Sequence, residues 1–150
     1  MKEGIILFCF LIIIVVAISG CTEETKTKYY DTVDVSFQYP ADWTISDELT
    51  IYGEGVSGQI KTWHLVKGQS FEEYVDLMKP SPQYIQKEGF VDMDGHEVYQ
   101  VEAFDNGVSY YQSYYPEKDG KVTSIILQAS NGVNATEGYN LMVETFSEHF

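Results

Sequence analysis

FVDMDGHEVYQVEAFDNGVSYYQSYYPEKDGKVTSIILQA, residues 90–129, decides the fold. Three dipeptides punctuate it: Asp94-Gly95, Asn106-Gly107 and Asp119-Gly120. Each accepts the positive φ that a two-residue type I′ hairpin turn requires. Alternating or apolar runs flank them, namely FVDM, HEVYQVEAF, VSYYQSYY and KVTSIILQA. Turns spaced roughly a dozen residues apart between such runs predict an antiparallel meander.

Working outward, two helical patterns bracket the meander. SFEEYVDLMK begins with Ser70 and Glu73 at capping-box spacing, and Phe71, Tyr74, Val75 and Met78 recur at helical intervals. Lys79-Pro80-Ser81-Pro82 stops it. At the far end ATEGYNLMVETFSEHF carries a second stripe, Leu141, Met142, Thr145 and Phe146, which Tyr139 extends near Val143; Asn134 and Glu137 offer another capping spacing. Upstream, Val33, Val35, Phe37 and Tyr39 alternate as a strand that Pro40 ends. A short strand is expected at Leu49 to Tyr52, and a longer one over Val56 to Val66. Strands, helix, four strands and helix predict an α+β domain with helices packed on the faces of a central antiparallel sheet.

The start of the chain, MKEGIILFCFLIIIVVAISGC, has another logic. Lys2 precedes an unbroken apolar run from Ile5 to Ile18, followed by the small residues Ser19 and Gly20 and then Cys21. That is the order of a secretory signal. Ile18-Ser19-Gly20-Cys21 resembles the lipobox of prokaryotic lipoproteins, in which the cysteine thiol becomes a thioether to lipid and the chain is cut before it. The competing reading is an uncleaved anchor, but Gly4 to Gly20 as a helix would span roughly 25 Å at ~1.5 Å per residue, short for a hydrocarbon core of ~30 Å. Both readings place the domain outside the membrane. The expected organisation is a signal peptide over residues 1–20, a polar tether over 21–28 and one domain over 29–150.

Composition narrows the function. Acids outnumber bases 23 to 9, for a net charge of -14, and all nine bases are lysine. Removing Lys2 and Glu3 with the leader leaves 22 against 8, again -14. Nucleic-acid binding needs clustered positive charge to release counterions, and the guanidinium fork that best reads phosphate is missing. Cys9 and Cys21 are the two cysteines, so the domain beyond has no disulfide, thiolate nucleophile or cysteine-ligated metal.

The remaining motifs have plain readings beside sharp ones. Gly53-Glu54-Gly55-Val56-Ser57-Gly58 matches G-x-G-x-x-G, but a strand-like run follows where a dinucleotide site needs a helix. Asp92-Met93-Asp94-Gly95 has its glycine fourth, whereas a calcium loop needs it sixth. His64, His96 and His149 are far apart, and neither a nucleophile elbow nor H-E-x-x-H is present. Asn134-Ala135-Thr136 is an N-glycosylation acceptor sequence whose asparagine is also the expected helix cap.

Phe37-Gln38-Tyr39-Pro40-Ala41-Asp42-Trp43, Ser70-Phe71-Glu72-Glu73-Tyr74, the Asp94-Gly95-His96 hairpin with Tyr99, and a strand from Ser124 to Ala129 leading to Glu144-Thr145-Phe146 together resemble the PsbP-like family. Prokaryotic lipoproteins of this pattern are familiar from methanogenic archaea. The resemblance covers nearly the whole chain beyond Cys21. It implies an α/β/α sandwich with a central antiparallel sheet, and no catalytic residues. The long basic N-terminal portion of the photosynthetic members has no counterpart in TEETKTK.

These readings lead to a non-enzymatic binding or assembly module, lipid-anchored at the extracytoplasmic face, with a protein partner at the envelope and no cofactor. The alternatives are a ligand-binding accessory of a transporter and a hydrolase with a cryptic site. Tyr114 and Tyr115, near the Pro116 end of VSYYQSYY, are expected to join Tyr52 in an exposed aromatic patch, because tyrosine offers stiff contact area with a polar tip.

Overall fold

In the computed structural model, Asp94-Gly95 and Asn106-Gly107 each turn a two-residue hairpin, Asp119-Gly120 ends a longer connection between its two strands, and the strands so joined form one end of a large sheet. Asp94 and Gly95 take φ of 53° and 86°, Asn106 and Gly107 48° and 81°, and Gly120 68°. The Asp92 carboxylate accepts a 2.8 Å hydrogen bond from the Gly95 amide, so Asp92-Met93-Asp94-Gly95 is hairpin chemistry. The structure describes residues 26–116 and 119–148. The leader, Cys21 and His149 lie outside them.

In chain order the strands are β1 (Thr27–Asp31), β2 (Val35–Pro40), β3 (Thr44–Ile45), β4 (Thr50–Gly53), β5 (Val56–His64), β6 (Ile85–Met93), β7 (His96–Asp105), β8 (Val108–Pro116), β9 (Lys121–Ala129) and β10 (Ser147–Glu148). Helix α1 (Phe71–Met78) lies between β5 and β6, and α2 (Thr136–Thr145) follows β9. Seven strands form one sheet in the order β3-β4-β5-β9-β8-β7-β6, and three form another in the order β1-β2-β10. Every pairing is antiparallel.

This corrects the expected α+β, α/β/α sandwich. Strands dominate, and the layer over one face of the large sheet is a second sheet with α2 beside it. Long-range pairing is the cause. Residues 27–31, of which only Thr27 and Lys28 belong to the expected tether, pair with β2 from Thr27↔Pro40 to Asp31↔Ser36, and the chain returns at β10 to close the other edge. The first strand among the described residues begins at Thr27. Pro40 ends β2, and a turn in which the Trp43 amide donates to the Pro40 carbonyl carries the chain across to the large sheet.

Alternation sorts the large sheet into two faces. One carries Tyr111, Ile125, Leu127, Ile60 and Ile51, which pack with Val35 and Phe37 of β2, with Trp43, and with Tyr139, Met142 and Val143 of α2 in the larger core. Buried hydroxyls there pair across layers: Tyr111 with Thr136 at 3.1 Å, and Ser113 with Tyr139. The other face carries Tyr114, Val101 and Val122, covered by Tyr74 and Val75 of α1 in a smaller cluster. Gly53 to Val56 close the β4–β5 hairpin, with Gly55 at φ 67°. The G-x-G-x-x-G run is thus a turn entering a strand.

Asn134 does not cap α2. The cap position is Ala135, and the Asn134 side-chain oxygen instead accepts from the Thr136 amide at 3.1 Å. Its preference for a local two-residue turn outcompetes the cap. Asn134 is exposed. Among the described residues no helix is long and apolar enough to cross a membrane.

Candidate functional site

Helix α1 stands where it does because its ends are fixed. The Ser70 hydroxyl accepts from the Glu73 amide at 3.1 Å and the Glu73 carboxylate accepts from the Ser70 amide at 3.0 Å, completing the capping box. At the other end the Lys79 amide donates to the Val75 carbonyl before Pro80. The helix turns Tyr74 and Val75 into the sheet and sets the Tyr74 ring edge-on to Tyr114, with centroids 6.2 Å apart.

The same placement opens a cleft along the border between α1 and the edge strand β6 with its neighbour β7. Phe71, Glu72, Val75 and Asp76 line it from the helix, Phe90 and Tyr99 from the sheet, around about 220 Å³. Phe90 and Tyr99 are cross-strand partners whose rings meet at 82° with centroids 5.0 Å apart. Phe71 approaches Phe90 at 6.2 Å and 35°. The cleft thus has three aromatic walls in different orientations. Phe90 remains 50% exposed, a large area for an aromatic ring on a strand.

A polar brace closes one side. Lys79 Nζ lies 2.8 Å from Asp76 Oδ1 and 3.0 Å from Glu88 Oε2, and the Tyr99 hydroxyl donates to Glu88 at 2.9 Å. The Lys79 and Tyr99 bonds hold the Glu88 carboxyl below the usual carboxylate range. Asp76 first and Glu88 second hold the Lys79 ammonium above its ordinary value. Burial, and then the bond to Glu88, raise the Tyr99 phenol. Counting Glu72, the brace and lining carry three carboxylates and one ammonium, so the cleft is net negative.

The tyrosines nominated from sequence do not meet. Tyr52 is 54% exposed, but Tyr114 is fully buried beneath α1. Tyr115 points to the opposite face, where it is half-buried, donates to the Val143 carbonyl at 3.0 Å and packs 5.0 Å from Phe146. In register Tyr52 shares a row with Ser57, Gln128 and Tyr110, whereas Tyr114 shares one with Tyr99 and Ser124. Four residues of β8 separate the rows, roughly 13 Å. The expected patch is therefore corrected: helices cover both faces at the Pro116 end.

The sequence reading placed Phe71, Glu72, Val75 and Tyr99 in separate structural motifs and did not bring them together as a site. A signal existed: alternation along β6 sets Phe90 on one face between Glu88 and Asp92, an aromatic ring among acids. His64 and His96 are exposed on β5 and β7, and no group of three or more His, Cys, Asp or Glu side chains is placed to hold a metal among the described residues. No family model matches the chain, and no curated protein matches it.

Proposed function

We propose that the chain is an extracytoplasmic lipoprotein, held to the membrane by lipid on Cys21, whose folded domain is a binding module and not an enzyme. The observation that supports a binding role is the cleft beside α1. Its walls are three aromatic rings, one of them half open to solvent, and its charged groups are already ordered by the brace. Rings supply contact area at low entropic cost, and carboxylates supply field and orientation. That is the chemistry of a small recognition site.

The anchor and the fold fit together mechanically. With β1 beginning at Thr27, five residues separate it from Cys21. At ~3.3–3.6 Å per residue they reach at most about 18 Å. The domain would ride close to the lipid surface, and its net charge of -14 keeps it off anionic headgroups.

Two measurements test the proposal. Intact mass of the protein extracted from its membrane should show a lipid-modified chain beginning at Cys21; a full-length chain with a free Cys21 thiol would remove the anchor. A thermal-shift screen of the detergent-extracted protein against small-molecule classes should find a stabilising ligand, because a ligand that binds the folded state raises stability by mass action. That stabilisation should vanish in Phe90→Ala. If no class shifts the melt, the binding reading falls.

A further inference from the structure

We infer that the α1 cleft recognises a small organic cation carrying a quaternary ammonium group. The inference rests on the binding-module reading and gives it a ligand class.

Three features of the cleft converge on that class. The first is the set of rings. Phe71, Phe90 and Tyr99 line one cavity, with ring planes 35° and 82° apart in successive pairs. Aromatic faces carry negative potential and attract cations, and rings grouped at differing orientations are the usual receptor for methylated ammonium. The second is charge. Glu72 and Asp76 stand in the lining, Glu88 lies beside it, and Lys79 is the neighbouring ammonium. An anionic ligand would meet a net negative rim, whereas a cation is drawn in. The third is size. About 220 Å³ is below the range of ~300–1,000 Å³ typical of drug-sized ligands, and suits a compact headgroup.

Hydrogen-bonding capacity then separates a quaternary ammonium from a primary one. A primary ammonium brings three donors that need acceptors. Asp76 Oδ1 and Glu88 Oε2 already accept from Lys79, and Glu88 Oε2 also from Tyr99, so the acceptors that remain stand at the rim and the ring walls offer a primary ammonium no carboxylate. A trimethylammonium group has no N–H to satisfy. It buries methyl groups against the rings while its charge feels the carboxylates.

The test uses the full chain in a detergent that lacks choline headgroups. Choline is titrated beside 3,3-dimethylbutan-1-ol, its uncharged carbon isostere, and beside ethanolamine, its primary-ammonium counterpart. Binding is followed by calorimetry and by the choline methyl proton resonance, which aromatic rings shift upfield. Choline should bind saturably, with both comparators weaker by about tenfold or more. Phe90→Ala should weaken choline by about tenfold. Glu72→Gln, isosteric and exposed, should weaken it severalfold without altering the melt.

Equal binding of the carbon isostere would overturn the inference and leave an apolar ligand site, so the binding-module reading would stand. Equal binding of ethanolamine would overturn the quaternary assignment. Saturable binding that survives both substitutions would place the ligand elsewhere and also overturn it. If choline does not bind at all, the inference fails, while the thermal-shift screen decides separately whether the domain binds another class.

Discussion

Gly138 in α2 lies so close against the Trp43 indole that a Cβ at this position would stand 2.7 Å from Trp43 Cη2 and 2.6 Å from Pro40 Cγ. At the other end of the same indole, a Cβ on Gly53 would stand 2.7 Å from Cδ1. Two glycines thus flank the indole, which is 5% exposed. The residue that carries the chain from the small sheet to the large one is fixed by their missing side chains.

Gly138→Ala should therefore destabilise the protein. Within a helix this substitution ordinarily stabilises by about 0.4–1 kcal/mol where the backbone allows it. Here the added methyl meets a rigid ring and a proline, and overpacking costs about 1–3 kcal/mol. Chemical denaturation should show a lower midpoint with an unchanged slope. A higher midpoint would mean that α2 moves away from Trp43 at no cost.

The tyrosines of the sheet should divide by position. Tyr114→Ala removes a fully buried ring packed against Tyr74 and a hydroxyl that donates to Gln112 at 2.8 Å. Large aromatic truncations of this kind cost about 3–5 kcal/mol. Tyr52→Ala, on an exposed strand position, should fall within about 0.5 kcal/mol of wild type. Thermal melts of the two variants check the ordering. A strongly destabilised Tyr52→Ala would mean that β4 is covered in the native protein.

What the sequence disclosed and what it hid follow one physical division. Asn106-Gly107 and the Ser70–Glu73 box were readable because the residues that make them are at most three apart, and their geometry is local. The pairing of Thr27–Asp31 with β2, and of β10 with β2 from more than a hundred residues away, leaves no local mark. The second sheet was therefore missed, and with it the fold class. Tyr114 and Tyr115 are neighbours on β8 and so face opposite ways, but which ends of those faces α1 and α2 would cover depends on the same distant packing. The cleft joins Phe71, Phe90 and Tyr99 across three elements, so its residues were visible one at a time and not as a site.

Alkaline pH should unfold the domain cooperatively. Burial first, with neighbouring groups second, raises the phenols of Tyr114 and Tyr115 well above the ordinary 10.0. Burial likewise raises Tyr139, although its Ser113 bond opposes the shift. With folded values raised, the native state keeps protons that the unfolded chain releases. Their contribution is complete below pH 10.0 and declines as pH rises from there through the raised folded values. Tyrosinate absorbance should show a steep late rise that coincides with loss of circular dichroism. Gradual ionisation of all twelve tyrosines without unfolding would contradict the buried placement.

The brace beside the cleft should give stability its acid limb. The Glu88 carboxyl is held low by Lys79 and then by Tyr99, so its contribution is complete above the ordinary carboxylate value of 4.5 and is lost as pH falls through its lowered folded value. Lys79 runs the other way: its value is raised by Asp76 and then Glu88, so its contribution is complete below 10.5 and is lost only as pH rises through its raised value. Between these limits both partners are charged and the end of α1 is tied to β6. Glu88→Gln keeps the size of the side chain and a hydrogen-bond acceptor but removes the charge. The pair is partly solvated, with Glu88 37% exposed, so the cost at neutral pH should be about 1 kcal/mol or less. That cost should shrink further at high salt. The diagnostic result is the pH profile. Wild type and Glu88→Gln should differ at pH 7 and converge under acid as wild-type Glu88 protonates. Parallel profiles at every pH would show that Glu88 acts by packing alone and that its charge does not hold the helix.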